Sequence, residues 1–184
     1  MARPRTSPAS NRRAASKNVQ AFTLVELLVV VLIMAIAGAM IIPMMTGTGE
    51  MQALSAARMI ATDIQYAQSY AITNQLDVTV QFNPALDRYE LSRYPKTGAN
   101  DTLHHPMTGK DYIVDFRTQD GFDRLDLGSA IFVVGNGNND LNSVVFDELG
   151  SPSGGGSVTV LGGSQTYRID VTSVTGTVSV VTPP

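Results

Sequence analysis

Nineteen consecutive residues from Leu27 to Met45, LLVVVLIMAIAGAMIIPMM, carry no charge. As a helix rising about 1.5 Å per residue, this run is as long as the roughly 30 Å hydrocarbon core of a bilayer is thick. A helix that is apolar all round belongs inside a protein core or a membrane. Three arrangements are compatible with it. The first is a plain transmembrane anchor. The second is a secretory signal peptide cut at Ala35-Ile36-Ala37 or Ala37-Gly38-Ala39. The third is a leader cut before the apolar run rather than after it. Gly38 and Pro43 fit any of these, because membrane helices tolerate both residues, although Pro also tends to kink a helix.

Charge is distributed unevenly about this run. The first 21 residues contain Arg3, Arg5, Arg12, Arg13 and Lys17 and no acid. The rest of the chain holds eight basic residues against sixteen acidic ones. A basic segment before an apolar helix marks the cytoplasmic flank. An acidic remainder disfavours non-specific nucleic-acid binding, which needs Lys and Arg against phosphate. The sequence has no cysteine, so disulfides, thiolate metal sites and cysteine nucleophiles are excluded.

Glu26 discriminates among the three arrangements. A carboxylate beside a membrane helix is costly, and neither a signal peptide nor a plain anchor gains from it. A cut between Ala21 and Phe22 changes this, because it creates an α-amino group four residues before Glu26. Positions i and i+4 share a helix face, so amine and carboxylate can neutralise each other within one chain or between neighbours. The helix dipole also favours an acid in the first turn.

The segment Ala21-Phe22-Thr23-Leu24-Val25-Glu26-Leu27-Leu28 resembles the cleavage and methylation motif of type IV prepilin-like proteins, usually written GFTLIELL. Ala21 stands where the family usually has Gly. The resemblance implies that a membrane prepilin peptidase cuts before Phe22 and methylates its new amine. It also implies that Glu26 helps dock the subunit into a filament. The resulting division is a basic leader at 1–21, a transmembrane and assembly segment at 22–46, an amphipathic helix at 47–75 and a β-rich head at 76–184.

Thr46-Gly47-Thr48-Gly49 breaks the apolar run and is expected to mark the membrane exit. After it, Leu54, Ala57, Ala61, Ile64, Ala67 and Ala71 recur at three- and four-residue steps. This spacing predicts an amphipathic helix ending near Asn74, with Gln52, Ser55, Asp63 and Gln65 on its solvent side. Leu76–Phe82 then alternates with period two, as a half-buried strand does. Further strands are expected at Arg88–Arg93, Tyr112–Phe116, Ala130–Val134, Ser143–Phe146, Ser157–Leu161, Tyr167–Val171 and Gly176–Val181. The fold class is therefore α+β: a long N-terminal helix followed by an antiparallel sandwich or curled sheets.

The stretches Val145–Pro152, Val158–Leu161, Tyr167–Val171 and Thr175–Val178 resemble the heads of H-type minor pseudopilins and FimT-like minor pilins. That resemblance implies a non-enzymatic subunit of a type II secretion pseudopilus. Such a subunit sits in the inner membrane with its head in the periplasm and meets other pseudopilin or pilin subunits and secreted cargo. The alternative is a FimT-like minor pilin for pilus assembly or DNA uptake. DNA binding in that group is associated with C-terminal basic residues, and Gly176–Pro184 contains none.

No catalytic constellation stands out, and no cofactor is called for. His104 and His105 are adjacent, so on a strand they would face opposite ways; they read as a surface loop before Pro106. Ser151–Gly156 reads as a Gly-rich hairpin turn. Gly135–Asn142 offers calcium some oxygen atoms, but its one carboxylate is Asp140, and calcium sites draw on several oxygens. It reads as a solvated loop. The melting temperature is accordingly expected to be the same in excess calcium and in chelator; a calcium-dependent rise would reverse this reading.

Overall fold

The computed structural model describes residues 22–41, 48–134 and 142–182. Ala21 and the leader, residues 42–47, and Gly135–Leu141 of the loop weighed for calcium lie outside this set. The chain divides after Ile41 into two units, each described by itself. The first unit contains helix α1, Leu24–Ile41. The second contains helix α2, Thr48–Asn74, and eight described strands.

The strands are β1 (Val78–Asn83), β2 (Arg88–Arg93), β3 (Ile113–Asp115), β4 (Leu125–Val134), β5 (Ser143–Phe146), β6 (Gly154–Gly162), β7 (Gln165–Val171) and β8 (Val178–Val181). They form two four-stranded sheets, ordered β3-β2-β1-β5 and β4-β6-β7-β8. Every neighbouring pair is antiparallel. The expected α+β architecture of a helix followed by antiparallel sheets is thus the one observed.

Period-two alternation in the sequence becomes a shared core. In the first sheet, Val80 stands opposite Leu91 and Val144, and Phe82 opposite Tyr89. In the second, Ala130 and Val158 pair across β4 and β6, and Val160 and Tyr167 across β6 and β7. Phe82 of β1 and Phe132 of β4 stack at 5.8 Å between ring centroids, joining the two sheets. Helix α2 closes the core with Ala53, Ala56, Ala57, Ile60, Ile64, Ala67 and Ala71, all fully buried. Leu54 and Ala61 of the predicted stripe are only partly buried. The inward face is thus rotated slightly towards Ala53, Ala56 and Ile60.

Thr48 and Gly49 form the first turn of α2. Two expectations need correction. The Gly-rich stretch is not all turn, because Gly154–Gly156 open β6. Here the missing side chains are a packing requirement: Gly156 lies opposite Phe132, and a Cβ at Gly156 would stand 2.6 Å from the Phe132 Cα. Finally, β4 begins at Leu125, five residues before the expected Ala130. A bulge between Leu127 and Ala130 interrupts the alternation on which the expectation relied.

The start of α2 approaches the β6–β7 turn very closely. A Cβ at Gly162 would lie 2.7 Å from the Ala53 Cβ, whereas one at Gly98 meets nothing within 4 Å. Gly162→Ala is therefore expected to lower stability in chemical denaturation by about 1–3 kcal/mol, the usual cost of overpacking. Gly98→Ala should leave it within about 0.5 kcal/mol.

Candidate assembly surfaces

Phe22 and Glu26 bracket the first turn of α1. Thr23 caps it: the Glu26 N–H donates to Thr23 Oγ1 at 3.2 Å, and the Leu27 N–H donates to the Thr23 carbonyl at 3.2 Å. Thr23-x-x-Glu26 has capping-box spacing, which satisfies N–H groups that otherwise lack partners at a helix start. Sequence reasoning had fixed on Glu26 and overlooked Thr23, although the S/T-x-x-E signature was there to be read. The structure thus gives Glu26 a local setting at a helix N-terminus, where a negative charge is favoured. Ala21 lies outside the described residues.

Apart from Glu26, the side chains of α1 from Leu24 to Ala37 are apolar and exposed, with Leu24 at 81% and Val29 at 45%. Among the described residues no helix is long and apolar enough to cross a membrane. The 18 residues of α1 rise about 27 Å, and the charge-free run of the sequence continues beyond them to Met45.

In the head, the main finding is Asp63. Sequence periodicity places it on the solvent side of α2, but it is buried. Its carboxylate accepts hydrogen bonds from the Tyr112 hydroxyl at 2.9 Å and from the Tyr89 hydroxyl. Tyr89 belongs to β2, and Tyr112 immediately precedes β3, so one helical carboxylate ties α2 to two segments of the first sheet. Tyr112 in turn stacks on Tyr66 at 5.5 Å and meets His105 at 4.7 Å. Burial pushes the Asp63 carboxyl above the ordinary carboxylate range, against the lowering effect of its two tyrosine donors. Burial, followed by the nearby carboxylate, raises both tyrosines. No local pattern marked this network, because its donors lie 26 and 49 residues away in sequence.

Polar clasps hold both ends of α2. At its start, Ser164 Oγ donates to Glu50 at 2.6 Å, Gln52 Nε2 donates to Asp123 at 3.1 Å, and the Arg124 N–H donates to Gln52 Oε1 at 3.2 Å. Near its end, Gln68 Nε2 donates to the carbonyls of Gly150 at 2.7 Å and Thr175 at 3.0 Å. These bonds bind the segment before β4, the turns on either side of β6 and the turn before β8 to the helix.

His104 and His105 lie beside a bridge in which His104 pairs with Asp111, Nδ1 to Oδ1 3.5 Å. Among the described residues no group of three or more His, Asp or Glu gathers at metal-binding spacing. Arg168, the basic residue nearest the C-terminal strand, pairs with Asp170 of its own strand at 2.8 Å.

Asp63 generates a prediction with a sign. A carboxyl whose folded pKa lies above its unfolded value contributes stability that is fully present below about pH 4 and is lost as pH rises through the folded value. Replacing Asp63 with Asn should remove that component from a plot of unfolding free energy against pH. Asp63→Ala should be worse than Asn at neutral pH by about 1–3 kcal/mol, because it leaves two tyrosine hydroxyls without their acceptor. Identical pH profiles for the wild type and Asp63→Asn would contradict the assignment.

Comparison with known proteins places this architecture. A family model described as Type II transport protein GspH matches residues 56–176, well over half of the chain. A second, the prokaryotic N-terminal methylation motif, matches residues 16–42. No curated protein matches the chain. Among solved structures, one of the minor pseudopilin EpsH from the Type 2 Secretion System of Vibrio cholerae is similar at 12% identity and TM-score 0.52, covering 72% of this chain and 98% of that one. A second structure of EpsH from Vibrio cholerae is similar at 14% identity and TM-score 0.51, over 72% and 95%. The type IV minor pilin FimU of Pseudomonas aeruginosa is more distant, at 13% identity and TM-score 0.46 over 74% and 92%. At these identities the likeness is one of fold, a helix carrying antiparallel sheets. The match across residues 56–176 does more: the chain belongs to the GspH family of type II transport proteins.

Proposed function

We propose that the chain is a minor pseudopilin of a type II secretion system. Its role is structural rather than enzymatic: it assembles through its N-terminal helix and presents its head in the periplasm. The observation that carries this reading is the pairing, on one chain, of a GspH match over 56–176 with a methylation motif over 16–42. In this reading residues 1–21 are a leader, and a prepilin peptidase cuts between Ala21 and Phe22. The same enzyme methylates Phe22. Glu26, in the Thr23-capped first turn, offers its carboxylate to the new amine of its own chain or of a neighbour. Residues 22–46 then hold the subunit in the inner membrane, 47–75 form the helix that carries the head, and 76–184 form the head itself.

The exposed apolar side chains of α1 support this reading, since a filament core or a bilayer is the environment that such a surface needs. Capture of DNA is disfavoured. The segment from Val171 to Pro184 has no cation, and Arg168 is already paired.

Mass spectrometry of the mature protein tests the proposal. The expected N-terminus is methylated Phe22. A start after Ala37 or Ala39 would make the segment a signal peptide and end the proposal. Glu26→Gln is expected to leave cleavage intact while reducing recovery of the subunit in assembled filaments at least tenfold. Unchanged recovery would remove the role given to Glu26.

A further inference from the structure

Two open sheets have four outer edges, and an unprotected edge is a template for pairing with another chain. Three of the four are guarded. The outer side of β5 is occupied by the chain itself: the Val145 N–H donates to Ser153 Oγ at 3.1 Å, the Ser153 N–H donates to the Val145 carbonyl at 2.7 Å, and Phe146 bridges to Pro152. The β3 edge is three residues long and ends on Asp115, with Asp111 two residues before its start. The β4 edge carries a bulge between Leu127 and Ala130, and its Leu127 N–H is taken by Asp87 Oδ1 at 3.0 Å.

Strand β8 has none of these guards. Among the described residues it pairs only with β7, and the register is regular from Val178 to Val181. No charged residue occurs from Val171 to Pro184. Val178 and Val180 pack against the core, while Ser179 and Val181 are exposed. Three of its four residues are valine, which favours the extended backbone. In an antiparallel edge strand, alternate residues point their N–H and C=O groups away from the sheet.

We infer that the free edge of β8 receives an extended strand from a second pilin-like subunit, lengthening the β4-β6-β7-β8 sheet across the subunit boundary. The size of the edge selects this occupant. Four residues supply only a few hydrogen bonds and fall far short of the roughly 1,200–2,000 Å² that a free-standing interface buries. Such a contact is productive only between proteins already held side by side, where a shared tether raises the effective concentration. Neighbours anchored by their N-terminal helices meet that condition. The chemistry of the edge also specifies the incoming strand. With Arg168 and Asp170 neutralising each other beside it, the outer face next to β8 has no net charge, so the partner strand is uncharged and rich in β-branched residues. This inference rests on the proposed function, since it needs the neighbour that an assembly provides.

The absence of cysteine makes a clean test possible. Ser179→Cys in the full chain is co-expressed with the other pilin-like subunits of its system, labelled with a maleimide–benzophenone and irradiated, so that the ketone inserts into a neighbouring C–H bond; cross-linked peptides are identified by mass spectrometry. Ile131→Cys, exposed on the guarded strand β4, is the control. The expected result is a cross-link from Ser179→Cys to a strand of a different pilin-like subunit, at least tenfold more abundant than any from Ile131→Cys. Cross-linking to a second copy of this chain, to a partner helix, or equally from both positions would overturn the inference. The Phe22 terminus is read in the same sample. Methylated Phe22 without the cross-link defeats the edge pairing and leaves the proposed function standing. Unmethylated Phe22 removes the proposed function and this inference together.

Discussion

The close approach of α2 to two sheets is the constraint on which the rest of the head depends. Ala53, Ala56, Ala57, Ala67 and Ala71 bring the helix near the strands, with Ile60 and Ile64 at its middle. Alanine buries little area, so no single residue of this seam anchors the helix. Its hold is spread along its length and completed by polar clasps at Glu50, Gln52 and Gln68. The same proximity explains why glycine stands at 49 and 162, where a Cβ on either would press on the other segment. A helix seated in this way can carry a head without flexing against it.

Asp63 adds specificity to that seam. Alanines at helical spacing would allow the helix to rotate or slide by a turn with modest loss, because one methyl resembles another. A carboxylate that accepts hydrogen bonds from Tyr89 and Tyr112 has one position in which both donors are met. Burying the group carries a desolvation cost, visible in its raised pKa. In return the network fixes the rotation of α2 against the first sheet, and through Tyr112 it positions Tyr66 and His105. Buried polar groups that are fully partnered can specify one arrangement in this way.

The two units of the chain solve opposite problems. The head buries a cluster of apolar residues against one another and carries an excess of acidic over basic residues. Helix α1 differs: from Leu27 to Ala37 its side chains are apolar and exposed. The Thr23 cap satisfies the start of that helix locally. The GspH family match covers only the second of these units, residues 56–176, and the methylation motif the first, residues 16–42.

Much of this was legible in the sequence where the signal is local. The bounds of β2 and β5, Arg88–Arg93 and Ser143–Phe146, and the end of α2 at Asn74 follow from alternation, helical spacing and flanking turn residues. The segment from Ala21 to Leu28 carried the family resemblance by itself, because leader recognition is written into contiguous residues. What the sequence could not decide depends on contacts between distant segments. Asp63 looks like a surface residue until Tyr89 arrives from β2 and Tyr112 from the segment before β3. Gly154–Gly156 look like a turn until Phe132 lies across them. The first half of β4 is hidden by a bulge whose form depends on its pairing with β6. Local order set the elements, their sequence and the apolar N-terminal segment. Only tertiary packing decided which polar group is buried, where glycine replaces a side chain for want of room, and which strand edge is left unpaired among the described residues.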